Sequence, residues 1–361
     1  MIPRPDPRRF AALLAGYCLD AQPGQQVLVR STALAAPLLL ALQRELLERE
    51  AWPVLRVALP GQAEGYWAAA RDAHLDGFAP AELADTEGSD CLLTIQAPEN
   101  TNELAGVDPA RLARAARSRA GIRELGMQRR WCGTLWPTPA GAQQAGLATG
   151  DFAALVERAL FLDRDDPVAA WGELGATQAR LIERLASARE LRIEAEGTDL
   201  TLSVAGRTWV NSDGKRNMPS GEVFTGPVED SAEGVIRYTI PSSPRGVPVE
   251  GIELRFAEGR VVEARAERGE AYLRETLATD EGASRLGEIG IGTNFGIDRP
   301  VGAILLDEKI GGTVHLAVGR SYPETGGVNE SAVHWDMICD LRDGGRLSAD
   351  GQPILEDRRF S

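Results

Sequence analysis

Histidine is nearly absent from this sequence: His74, His315 and His334 are the only three in 361 residues. A Ser-His-Asp triad therefore has little to draw on, and there is neither a G-x-S-x-G elbow nor an H-E-x-x-H helix. The four cysteines, Cys18, Cys91, Cys132 and Cys339, are scattered without C-x-x-C spacing. That excludes a thiolate metal framework or a disulfide scaffold and predicts buried, reduced thiols in a cytoplasmic protein. No apolar run approaches the roughly 18 residues of a membrane span. The opening "MIPRPDPRRF" is charged and Pro-rich, with no apolar stretch after it, so neither a secretory signal nor a membrane partner is expected. Positive charge is also short: 39 Lys plus Arg face 53 acids, a net charge of −14. Nucleic acid would be repelled by that balance, whereas cations would not. A solvated acidic surface accounts for most of the excess.

Apolar periodicity is ample, and its period changes along the chain. In the first half, "QVLVRS" (26–31), "WPVLRVAL" (52–59), "DCLLTIQA" (90–97) and "WCGTLW" (131–136) read as strands. Between and around them, 8–19, 34–50, about 64–74 and 108–120 carry helical spacing. Pro37 is tolerable only near a helix start, and Asp108 with Pro109 forms a helix entry. This alternation predicts a mainly parallel sheet covered by helices. No G-x-G-x-x-G follows the first strand and no G-x-x-x-x-G-K-[ST] occurs, so no nucleotide site is implied. After a helix over 166–188 the texture changes: 190–207 and 251–268 read as hairpins, and about 269–279 is the one clear helix. The expected fold class is an α/β N-terminal domain, residues 1–188, and a β-rich, mostly antiparallel α+β domain, residues 189–361.

Two of the three histidines lie in strand-like segments of the second half, "GGTVHLAVG" (311–319) and "SAVHWDMI" (331–338). Residues two apart on a strand share a face, so His334 and Asp336 project together, away from Val333, Trp335 and Met337. Cys339, at odd spacing from Asp336, should face the other way. Glu222 in "NMPSGEVFTGP" and Glu288 in "LGEIGIGTN" sit among glycines and apolar residues, where a lone carboxylate is costly unless paired or metal-bound. Imidazoles with carboxylates suit Zn²⁺, Co²⁺ or Mn²⁺. Two such ions about 4 Å apart could activate a water and hold both oxygens of a tetrahedral intermediate. Taken singly, His315 could equally be a core histidine, Glu222 a turn cap and Glu288 a salt-bridge partner. His74, in "ARDAHLDGF", reads as a residue at a helix end on the surface.

At these strings the sequence resembles a known family. "NMPSGEVFTGPVEDSAEG", "LGEIGIGTN", "DEKIGGTVHLAVGRSYPETGG" and "NESAVHWDMI" are similar, in order and approximate spacing, to the thermophilic metallopeptidases typified by aminopeptidase T. Residues 22–57 resemble that family's N-terminal segment. The resemblance implies an N-terminal α/β domain and a β-rich domain carrying two divalent ions, Zn²⁺ or Co²⁺ first, Mn²⁺ or Mg²⁺ otherwise. It further implies homodimers that remove N-terminal amino acids from peptides. Carried over motif by motif, the metal ligands would be Glu222, Glu288, His315, His334 and Asp336. Glu288 would bridge the ions, and Tyr322 would stand beside them as a catalytic residue whose ring could also merely pack there. Asp307 or Glu308 could anchor the substrate's α-amino group. The chain is shorter than is typical of the family, with the missing length between about 60 and 175, which bears on the cavity entrance. The fold is also shared with a non-haem iron ring-cleaving dioxygenase, so that chemistry, or metal binding without catalysis, is the alternative to peptide hydrolysis.

Overall fold

The computed structural model of the chain describes residues 5–360. They form two compact units, one running to Val168 and including Gly214–Pro219, the other comprising Ala169–Asp213 and the chain from Ser220 on.

The first unit is built on a five-stranded, wholly parallel sheet. Its order is Trp52–Ala58, Gln26–Thr32, Cys91–Gln96, Arg130–Leu135 and the two-residue strand Asn217–Met218. Parallel neighbours need crossovers, and helices supply them. Local sequence starts these helices. Asp108 Oδ1 accepts from Ala110 N at 2.8 Å ahead of Pro109–Ser118, and Thr138 Oγ1 accepts from Gly141 N at 3.2 Å ahead of Pro139–Gln144. In both, proline occupies the first helical position, where its missing N–H is not needed. Pro37 likewise sits in the first turn of Ala36–Glu48. The stretch expected as one helix around 64–74 is two, Gln62–Ala69 and Asp72–Leu75, broken where Ala70 turns extended.

The second unit opens with the helix that ends at Leu185 and passes into the strand Glu190–Ala195, where the texture of the sequence changes. Among the described residues, all pairings between its strands are antiparallel. One sheet has eight strands; the other has five, ordered His334–Asp340, Thr313–Gly319, Leu286–Gly292, Glu222–Thr225 and Val210–Ser212. The mostly antiparallel β-rich domain expected from the sequence is therefore present. Alternation sorts the five-stranded sheet into two faces. Val223, Ile289, Ile291, Val314, Leu316, Val318, Trp335, Met337 and Cys339 join the large sheet's Ile193, Leu200, Ile236 and Phe256 in one apolar core. Each such side chain, fully buried, contributes roughly 1.5–3 kcal/mol. This pins the register, because a slip of one residue would put the whole set on the wrong face. The residues between them, Glu222, Glu288, His315, His334 and Asp336, are thereby forced onto the opposite face. All four cysteines are buried, and none forms a disulfide. Among the described residues no helix is long and apolar enough to cross a membrane.

Candidate metal centre

The sheet's register sets the spacing of these side chains. Ala317 pairs with Glu288 on one side and Asp336 on the other, so its methyl separates the two carboxylate-bearing positions. Gly290 pairs with His315, and a side chain at 290 would run into the imidazole: a Cβ there would fall 2.1 Å from His315 Cε1 and Nε2. Glycine at 290 is thus the space into which the ring lies. Gly221, at φ +111°, turns the chain into Glu222 and abuts Asn294, where a Cβ would come within 2.7 Å of that residue's own Cβ.

The ligand-type atoms converge in two groups that share Glu288: Glu222, Glu288 and His315, and Glu288, His334 and Asp336. His315 Nε2 lies 3.4 Å from Glu222 Oε2 and 3.4 Å from Glu288 Oε1. His334 Nε2 lies 3.5 Å from Glu288 Oε2 and 3.5 Å from Asp336 Oδ2. Glu288 therefore turns one oxygen to each imidazole. These separations are long for charge-assisted hydrogen bonds. They match the edge of a coordination shell, since two donors each about 2.0–2.1 Å from a tetrahedral ion stand about 3.3–3.4 Å apart. Glu222 Oε2 and His315 Nδ1 are buried with no hydrogen-bond partner, which a protein rarely leaves so. His334 is oriented from behind by a 2.8 Å hydrogen bond between its Nδ1 and the carbonyl of Arg320, the usual way a ligating imidazole is held. The donor set and its spacing fit divalent cations of the Zn²⁺, Co²⁺ and Mn²⁺ kind. Tyr322 stands edge-on to His334, ring centroids 5.1 Å apart, and also packs edge-on to Phe224 at 5.7 Å.

Two members of the site were not recognised from spacing. Lys309, 1% exposed, donates from Nζ to Glu222 Oε1 at 2.5 Å and to Glu308 Oε1. A signal was available: of 39 Lys plus Arg, only Lys215 and Lys309 are lysines. The other is Gln178, on the helix of the second unit. Its Nε2 donates to the backbone carbonyl of Glu222 at 2.8 Å and to Thr293 Oγ1 at 3.1 Å, steadying the strand end that carries Glu222. Asp307 is not at the cluster's ligand positions. Its carboxylate accepts from Val301 N at 2.7 Å and Gly302 N at 2.8 Å, and so fastens the loop from which Glu308 and Lys309 project. His74 lies in the first unit, its Nδ1 accepting from Arg71 N at 3.2 Å, and belongs to neither ligand group.

Burial and like charge distort the titration of the cluster. Burial alone would lower His315, but its contact with Glu288 and the charges of Glu222, Glu288 and Asp336 outweigh that and raise it to about 9. Asp336 is pushed up to about 6 by burial and by the charges of Glu308 and Glu288, against the pull of His334 and His315. Burial raises Glu222, opposed by Lys309. For Lys309 burial works against the charge, yet Glu222 and Glu308 hold its pKa above the usual lysine value. Burial, then Glu288 and Asp336, raise the Tyr322 phenol, which stays protonated at neutral pH.

Comparison with known proteins agrees with the motif resemblance over nearly the full length. Residues 5–357 match the thermophilic metalloprotease family. Aminopeptidase 2 of Geobacillus stearothermophilus is 32% identical over 399 aligned positions, which cover 95% of this chain and 93% of that one. Aminopeptidase AmpS of Bacillus subtilis is 33% identical over 73% of this chain and 74% of its own. Among solved structures, wild-type AmpT from Thermus thermophilus superposes with a TM-score of 0.83 at 26% identity, covering 98% of each chain. The 2,5-dihydroxypyridine dioxygenase of Pseudomonas putida shares the fold, with a TM-score of 0.58 at 16% identity over 98% of this chain and 96% of that one. The chain belongs to the thermophilic metalloprotease family.

Proposed function

We propose that this protein is a metal-dependent aminopeptidase whose centre is made by Glu222, Glu288, His315, His334 and Asp336 and holds two divalent ions. The observation that carries the reading is the set of four imidazole–carboxylate separations of 3.4–3.5 Å, with Glu288 facing both histidines. The aminopeptidases among its relatives supply the substrate class, peptides with a free N-terminus. Bound divalent ions supply Lewis acidity, polarising the scissile carbonyl and lowering the pKa of a water. The protein's own part is positioning and proton control. Glu288, with an oxygen toward each half of the cluster, would contribute to holding both ions. His334, fixed through Arg320, and Asp336 complete one half; Glu222 and His315 complete the other. Tyr322 keeps its proton and donates a hydrogen bond to the oxygen on which charge develops. Attack by water forms a C–O bond, the C–N bond breaks, and the leaving nitrogen ends protonated. Zn²⁺ or Co²⁺ suits the imidazoles, a homodimer is the proposed assembly, and the cytoplasm is the proposed location.

The deciding experiment strips the purified chain with chelator and adds back single metals. Zn²⁺ or Co²⁺ should restore release of leucine from leucyl-p-nitroanilide, saturating near two ions per chain. Glu288→Gln should abolish hydrolysis and weaken metal retention; full activity in that variant would remove the dinuclear reading. Activity that instead required Fe²⁺ with O₂ on a dihydroxypyridine, and ignored the anilide, would favour the ring-cleaving relative. Sedimentation of the same preparation tests the dimer.

A further inference from the structure

We infer that Lys309 occupies a cation position of this centre: its ammonium stands between Glu222 and Glu308 where a divalent ion would otherwise bind, so removing it opens one additional metal position. The inference rests on the ligand set proposed above and concerns what limits it. Lys309 is almost wholly buried, and among the described residues its Nζ donates to two carboxylate oxygens and no other side chain, Glu222 Oε1 at 2.5 Å and Glu308 Oε1. Those carboxylates come from different segments, Glu222 from the start of a strand and Glu308 from the end of the short helix Ile304–Asp307, and they meet on one positive point. Two acids of separate origin converging on one buried cation is how carboxylates bind a metal ion.

The choice of lysine is telling. This chain draws nearly all its positive charge from arginine, yet here it keeps one of its two lysines. A guanidinium is a broad planar fork, whereas an ammonium is a compact point charge and stands in for an ion sterically as well as electrically. The lysine is also fixed where it starts. Its backbone carbonyl accepts from Asn294 N at 3.0 Å, and Asp307 ties the preceding turn to Val301 and Gly302. The consequence for the centre is specific. With Oε1 taken by the ammonium, Glu222 has only the unpartnered Oε2 to offer, so it serves as a one-oxygen ligand on the His315 side. Glu308 is held back from the ligand groups although it lies beside them.

The test uses metal-stripped wild type and the Lys309→Ala variant, each dialysed against excess Mn²⁺, an ion suited to oxygen donors. Bound manganese is counted by elemental analysis and by electron paramagnetic resonance. The variant should hold one more ion per chain than wild type, and adding Glu308→Gln in the same background should take that ion away again. Saturation with Mn²⁺ should raise the melting temperature more in Lys309→Ala than in wild type, because the ion replaces the missing ammonium. Equal ion counts in wild type and variant would overturn the lysine's role while leaving the centre intact. A wild type that binds no ion would instead defeat the centre itself. A variant that cannot fold even in Mn²⁺ also counts against the inference, since an ion in that position must substitute for the charge.

Discussion

In the proposed centre the titration of His315 should make metal uptake steeply dependent on pH. In the metal-free protein its imidazolium, surrounded by Glu222, Glu288 and Asp336, has a pKa raised to about 9. A ligating imidazole must give up that proton. At pH 7, two units below, roughly 99% of chains carry it, and removing it opposes binding by about 3 kcal/mol, a loss of about 100-fold in affinity. Apparent affinity should therefore rise about tenfold per pH unit from about pH 6 and level off near pH 9. Below about 6 the Asp336 proton competes as well, so the slope should approach two decades per unit. Competition against a chromogenic chelator across pH 5.5–9.5 at fixed ionic strength measures this directly. Calorimetry at pH 7 in buffers of different ionisation enthalpy should show about one proton released for the ion that takes His315. An affinity flat between pH 6.5 and 8.5, with no buffer-dependent heat, would refute the argument, because it would mean either that His315 is neutral in the empty site or that it is not a ligand.

Other outcomes follow from the same contacts. For stability of the metal-free fold the sign reverses: His315 binds its proton more tightly folded than unfolded, so the stabilisation is complete below its ordinary value near 6.5 and is lost as pH rises through about 9. Thermal melts of the chelated protein should show the melting temperature falling across that window and flattening above it. Gly290→Ala should push the His315 ring aside, costing about 1–3 kcal/mol as overpacking and most of the bound metal, while Gly172→Ala, with open space around it, should leave metal content alone. The Cys339 thiol, pushed up to about 12 chiefly by burial, should not react with an aromatic disulfide reagent in the native protein; all four thiols should appear on unfolding.

Much of this was legible in the sequence because binary pattern is a strong constraint. Val314, Leu316 and Val318 alternate with His315, and Trp335 and Met337 alternate with Asp336, so one apolar core decides both where the strands lie and which face carries the proposed ligands. The same period placed Cys339 on the core face, as expected. Spacing could not reveal which segments converge, because that depends on the pairing of Glu222–Thr225 with Leu286–Gly292, across sixty and more residues of chain, and of Leu286–Gly292 with Thr313–Gly319. Family motifs supplied that knowledge instead. Lys309 escaped both routes: it lies in a loop without periodicity, and a lysine in sequence reads as a surface residue until burial shows otherwise.

Charge gives such a cluster a reason to bind a cation. Four carboxylates, Glu222, Glu288, Glu308 and Asp336, share the cluster with one permanent cation, Lys309, which pairs with Glu222 and Glu308, and three negative charges remain uncompensated in a largely buried site. Buried charge at that density is not tolerated. In the empty protein the deficit is met by protons, which is why His315 and Asp336 both titrate above their ordinary values. Divalent ions would meet it with more charge per particle, at the 3.4–3.5 Å donor spacings. Proton and ion are therefore competitors for the same electrostatic debt, and the lysine is the fraction of it that the chain settles permanently. A protein that used these acids only to brace its fold would have little reason to leave Glu222 Oε2 without a partner while an ammonium sits 2.5 Å from the other oxygen of the same carboxylate. The asymmetry between those two oxygens, one saturated and one bare, is what a ligand waiting for its ion looks like.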